Sequence, residues 1–169
     1  MTLERLWAGW RSEYVQGAAQ AGAGDDDCVF CRILDSGEPD ATTKVIVRQG
    51  GVVVVLNAFP YTSGHLLVLP ERHVGELEDL TAEEHTVVWE AATTAVRALK
   101  AAYRPDGINL GANLGRAAGA GVPGHFHLHL LPRWIGDTNF TTSVAEVRVL
   151  PESLDATWSR LRDAWPPAG

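Results

Sequence analysis

Apolar residues recur at helical spacing in three places along this chain and gather into short β-branched runs between them. Near the start, Leu3, Leu6, Trp7, Trp10, Tyr14 and Val15 lie three and four apart with charges on the other face, which predicts a short amphipathic helix. Residues 17–27 are rich in Ala, Gly and Asp and have no period, so they read as a linker. Residues 44–48 and 52–56 are separated by Gln49-Gly50-Gly51 and predict a β-hairpin, with a third strand at 65–69 after a turn at 60–64. Thr81 and Glu84 are spaced as a capping box, and Val87, Val88, Ala91, Ala95, Val96, Leu99 and Tyr103 continue as one long helix that ends before Pro105. Two more strands are expected at 108–114 and 125–131, around a Gly/Ala-rich loop at 115–124. A final helix over 151–165 would bury Leu154, Trp158 and Leu161. The expected fold class is α+β: about five mostly antiparallel strands, one long helix packed on them, and helical extensions at both ends. Residues 28–140 form the expected central domain. Residues 1–27 precede it as helix and linker, and 141–169 follow as a strand/helix extension packed on the same domain.

Composition narrows the function classes. A length of 169 residues fits one domain, and 46% hydrophobic with 21% charged residues excludes a largely disordered chain. Two cysteines three positions apart exclude a disulfide framework. The net charge of −7 argues against nucleic acid and anionic membranes as partners, while leaving room for a small anionic ligand held by local donors. The apolar run at 52–56 is far too short to span a bilayer, and Glu4, Arg5, Arg11 and Glu13 interrupt any targeting segment. The expected compartment is the cytoplasm.

Chemistry concentrates in His125-Phe126-His127-Leu128-His129-Leu130-Leu131-Pro132. On a strand the three imidazoles share one face while Phe126, Leu128 and Leu130 enter the core behind them. Such a row could contribute metal ligands, although neighbouring same-face positions suit two ligands better than three. A neutral imidazole is also a good nucleophile at pH 7 when one ring nitrogen is held as a donor and the other lone pair is free. The preceding loop strengthens that reading, because Gly115, Gly119, Gly121 and Gly124 let backbone amides approach phosphate oxygens.

Cys28-Val29-Phe30-Cys31 fits either two zinc ligands on a tight turn or a redox pair. Zinc would need two further ligands that are not cysteine. His85, on the long helix, reads as a surface residue. Trp134 follows the histidine strand directly and fits either core packing or the flank of a nucleotide.

The His-hydrophobic-His-hydrophobic-His-hydrophobic-hydrophobic pattern of residues 125–131 resembles the histidine-triad (HIT) family of nucleotide hydrolases and transferases, and the resemblance runs from about residue 28 to 140. It implies that His127 is the nucleophile forming a nucleotidyl-histidine and that His129 contacts the transferring phosphate and assists the leaving group. It also implies Asn57 on the ribose, His65 supporting the triad, Asn113 near the phosphates, and backbone amides around Ala120 and Gly121. HIT proteins with an N-terminal Cys-x-x-Cys resemble a subset that completes a structural zinc site with two histidines, here Cys28, Cys31, His73 and His125. No catalytic metal is implied. A homodimer is.

Within the family, Leu77-Glu78-Asp79-Leu80-Thr81, Asn113-Leu114-Gly115 and residues 132–140 are most similar to the diadenosine tetraphosphate phosphorylase (ATP adenylyltransferase) branch. Gly121 stands where HIT hydrolases usually carry Gln, which favours a transferase. It also lacks the hydroxyl that could hold incoming phosphate. The substrate implied is an adenosine nucleotide or dinucleoside polyphosphate, with phosphate or water as acceptor. The near alternative is a HIT hydrolase with water as acceptor, a dinucleoside polyphosphate hydrolase or nucleoside phosphoramidase, and a non-catalytic nucleotide-binding module is the alternative from another class.

Overall fold

The computed structural model describes residues 28–137 and 150–167. The predicted N-terminal helix, the 17–27 linker and the strand expected after residue 140 lie outside them. The described elements are α1 (Val29–Asp35), α2 (Asp40–Thr43), β1 (Val45–Gln49), β2 (Val52–Leu56), β3 (Leu66–Pro70), α3 (Ala82–Tyr103), β4 (Gly107–Gly111), β5 (Leu128–Arg133) and α4 (Leu154–Ala164). The five strands form one antiparallel sheet in the order β1-β2-β3-β5-β4.

The hairpin turn has the chemistry its sequence implies. Gly50 and Gly51 both hold left-handed φ angles, +62° and +82°, as a tight two-residue hairpin loop requires. Thr81 caps α3 through its hydroxyl to the Glu84 amide, while the Glu84 carboxylate returns to the Thr81 amide at 2.8 Å.

Side chains alternate across β2 and β3. Val52, Val54, Leu56, Leu66 and Val68 join Val88, Ala92, Ala95 and Leu99 of α3 and Leu161 of α4 in one core. Val53, Val55, Leu67 and Leu69 pack on the opposite face with Phe30 of α1 and Val45. Both faces of these strands are buried, which is why they read as unbroken apolar runs rather than as alternating patterns.

Three elements differ from expectation. Cys28–Cys31 is not a tight turn: Cys28 is the N-cap of α1 and Cys31 lies in its first turn. The expected strand at 108–114 ends at Gly111. Ladder pairing in β5 begins at Leu128, so His125 and His127 precede the strand proper. The Phe126 amide nevertheless bonds the Val74 carbonyl at 2.6 Å, so the chain runs alongside the segment after β3. Gly75 permits this approach, since a Cβ there would sit 2.9 Å from the Pro123 carbonyl oxygen. No helix of the described residues is long and apolar enough to cross a membrane.

Candidate active site and metal cluster

Two clusters of histidine flank one another on the α1 side of the sheet. The first gathers Cys28 and Cys31 from α1, His73 from the segment after β3, and His125. His125 is fully buried. Its Nε2–H donates to the Pro70 carbonyl at 2.9 Å, which leaves Nδ1 as a lone pair facing sulfur. That Nδ1 lies 3.5 Å from Cys28 Sγ and 3.7 Å from Cys31 Sγ, and His73 Nδ1 lies 3.2 Å from Cys31 Sγ. All four donor atoms fall within 4.8 Å of one another. Tetrahedral coordination with ordinary metal–sulfur and metal–nitrogen bonds separates neighbouring donors by about 3.6 Å. The cluster therefore has the donor set, the spacing and the carbonyl-fixed tautomer of a Cys2His2 metal site.

The second cluster opens into a cleft of about 690 Å3. Its walls are Phe30, Ile33, Val55, Leu67 and Val122, with His127, His129 and Asn57 as polar groups. His127 donates from Nδ1 to the carbonyl oxygen of His125 at 2.8 Å, so its Nε2 carries the lone pair. His129 is oriented by a relay. The Tyr61 amide donates to His65 Nδ1 at 3.2 Å, as does Asn57 Nδ2 at 3.3 Å. His65 Nε2 must then hold the proton it shares with His129 Nδ1, 2.8 Å away. That arrangement puts the remaining proton of His129 on Nε2, which is buried and has no hydrogen-bond partner among the described residues.

Burial lowers the pKa of His127 below its ordinary value, against the opposing effect of the His125 carbonyl. Burial, with a smaller contribution from neighbouring His127, lowers that of His129 to about 4. Both rings are therefore neutral at pH 7, one presenting a lone pair and the other an N–H.

The remaining expected residues divide. Gly121 lines the cleft together with Gly119. Ala120 does not line it: its amide closes the loop on the Gly115 carbonyl at 3.3 Å and cannot face a ligand. The Asn113 side chain contacts the Gly119 carbonyl at 3.5 Å and braces the loop from outside the cleft. Trp134 meets the Tyr103 ring edge-on at 6.1 Å and is not a cleft wall in this chain. Sequence reasoning missed Phe30, Ile33, Thr43, Lys44 and Tyr61, all of which line the cleft. For the first two a signal existed, because Val29, Phe30, Ile33 and Leu34 recur at helical spacing.

Comparison with known proteins agrees with this arrangement. The HIT domain family matches residues 38–134. The chain is 36% identical over 167 residues to the AP-4-A phosphorylase of Mycobacterium tuberculosis (strain ATCC 25618 / H37Rv), covering 96% of this chain and 85% of that one. Among solved structures it resembles a Zn-bound histidine triad family protein from Mycobacterium smegmatis, with a TM-score of 0.67 and 30% identity over 83% of this chain and 94% of that one. A HIT family protein from Bacillus anthracis superimposes with a TM-score of 0.59 at 34% identity, over 64% of this chain and 74% of the other. A buried histidine row, a nucleotide-sized cleft and these matches lead to one conclusion: the chain belongs to the HIT family.

Proposed function

We propose that this protein is a nucleotidyl-transfer enzyme acting on dinucleoside polyphosphates or adenosine nucleotides through a covalent nucleotidyl-His127 intermediate. The observation that carries the reading is the 2.8 Å bond from His127 Nδ1–H to the His125 carbonyl, which leaves the Nε2 lone pair of a neutral, cleft-lining imidazole available. Nε2 attacks the α-phosphorus, and the bond from that phosphorus to the bridging oxygen breaks. The bridging oxygen of the departing polyphosphate accepts a hydrogen bond from His129 Nε2–H, the donor that the His65 relay orients, and the group leaves as the anion. An oxygen of phosphate or water then displaces His127: the phosphorus–nitrogen bond breaks, its electron pair returns to Nε2, a nucleoside diphosphate or monophosphate is released, and with water as acceptor its proton passes to solvent. Gly119 and Gly121 allow a phosphate to approach the cleft wall closely. The apolar walls take the nucleoside, and Asn57, which lines the same cleft, takes the ribose in this reading.

Cys28, Cys31, His73 and His125 would hold zinc, which when bound cross-links α1 to the histidine row and supplies no reacting group. The His127 Nδ1 acceptor is the carbonyl of His125 itself, so the metal cluster braces the residue that sets the tautomer of the nucleophile. The edge strand β4, with Leu110 and nearby Leu114 exposed, supports a homodimer joined through that edge.

Incubation with diadenosine tetraphosphate, with and without phosphate, tests the reading. ADP that appears only with phosphate assigns a phosphorylase, and AMP with ATP in its absence assigns a hydrolase. No turnover of either kind, or full turnover by His127→Ala, overturns it.

A further inference from the structure

The turn between β2 and β3 is tied to the His65 relay at several points. The Asn57 amide bonds the His65 carbonyl at 3.0 Å, the Phe59 amide bonds Asn57 Oδ1 at 2.9 Å, and the Tyr61 amide bonds His65 Nδ1 at 3.2 Å. Thr62 fastens the far side of the turn to the Pro132 carbonyl at 3.2 Å. This turn nevertheless presents Phe59 to solvent at 84% exposure and Tyr61 at 41%, and both line the cleft. Val29, 39% exposed, reaches the same rim from α1. One exposed Phe needs no explanation, but three exposed apolar side chains from two elements around one cleft mark a contact surface. Its place relative to the histidines is informative. The Tyr61 ring lies 13° from parallel with His129 at 6.0 Å and 4.6 Å from His65, so it adjoins the group assigned to the leaving side.

We propose that Phe59 and Tyr61 form a stacking subsite for the second base of a dinucleoside polyphosphate, with Phe59 as the residue that distinguishes such substrates from mononucleotides. This rests on the function proposed above. The interior walls take one nucleoside, and the polyphosphate that departs past His129 carries the other over Tyr61 towards the rim. Every base has a π-face, so an exposed aromatic ring on a backbone fastened at this turn binds it with little regard to base identity.

Binding to the full chain carrying His127→Ala, measured by calorimetry, tests the subsite without turnover. The two probes are diadenosine tetraphosphate and adenosine 5′-tetraphosphate, which differ in the second nucleoside alone. With Phe59 present the dinucleotide should bind about tenfold tighter. Phe59→Ala and Phe59→Leu should bring the ratio of the two affinities close to one, while Phe59→Trp keeps it. A ratio near one with Phe59 present, or one that Phe59→Ala does not move, overturns the subsite and leaves the function standing. Failure to bind either nucleotide overturns both.

Discussion

His125 and His127 sit two residues apart, are both buried and both donate a ring proton to a backbone carbonyl, yet they are suited to opposite tasks. His125 donates from Nε2 to Pro70, so its Nδ1 faces two sulfurs and a neighbouring imidazole. His127 donates from Nδ1 to His125, so its Nε2 is left for the cleft. In the proposed reading, one carbonyl on either side of the ring separates the metal ligand from the nucleophile. Solvent exposure and residue type do not make the distinction, and the side chain's near neighbours only complete it.

That contrast can be broken most sharply at the nucleophile. His127→Ala should lower turnover of diadenosine tetraphosphate by about 10⁴-fold or more, while metal content, read by atomic emission, stays at the native stoichiometry. Loss of metal along with activity would mean that the two ends are not separable. The converse change is Cys31→Ser. Removing a thiolate from a buried cluster should cost about 3–5 kcal/mol, a fall in Tm of about 10 °C or more in a thermal melt. Metal content should drop with it, and a strong chelator should reproduce the effect on the native protein.

Acid provides the next comparison. The folded state holds His129 at a pKa of about 4, below the value near 6.5 of an unfolded chain. Between those values the unfolded chain binds a proton that the folded one refuses. Stability is therefore full above about pH 6.5 and lost as pH falls towards 4, on the order of 3 kcal/mol. Urea midpoints across that range should show the decline, and His129→Gln should flatten it. A smaller effect is expected at the relay. His65→Phe removes the donor that sets the His129 tautomer and should slow turnover by about 100-fold. The loss should shrink with substrates whose leaving group is less basic and gains less from the His129 hydrogen bond, a dependence that a merely structural role for His65 would not produce.

Much of the fold is written locally. The Gly50-Gly51 turn and the Thr81–Glu84 capping box act within a few residues, so spacing alone reveals them. α1 is harder to see, because the spacing of Val29, Phe30, Ile33 and Leu34 covers less than two turns, and what holds the helix is the second face of the sheet, contributed by Val53, Val55 and Leu67. The C-terminal helix is legible as a helix but its docking is not: Trp158 Nε1 reaches the Val45 carbonyl at 2.8 Å, and Asp155 pairs with Lys44 at 2.6 Å, across more than 100 positions. For the site, the alternating histidines mark, by pattern and by resemblance, the row of which His127 and His129 line the cleft. The donor carbonyls of Pro70 and His125 carry no side-chain signature, so the tautomers emerge only from the folded backbone. The Ala120 amide shows the opposite failure, since the resemblance suggests a donor that the loop itself consumes.

The central claim is that His127 Nε2 becomes bonded to the α-phosphorus. The most direct measurement mixes the protein with diadenosine tetraphosphate, quenches in alkali within one turnover and maps the modified peptide by mass spectrometry. The account predicts one adenylyl group per chain on His127, stable to base and released by acid. Turnover with no protein-bound adenylate, or adenylate on any other residue, would contradict it.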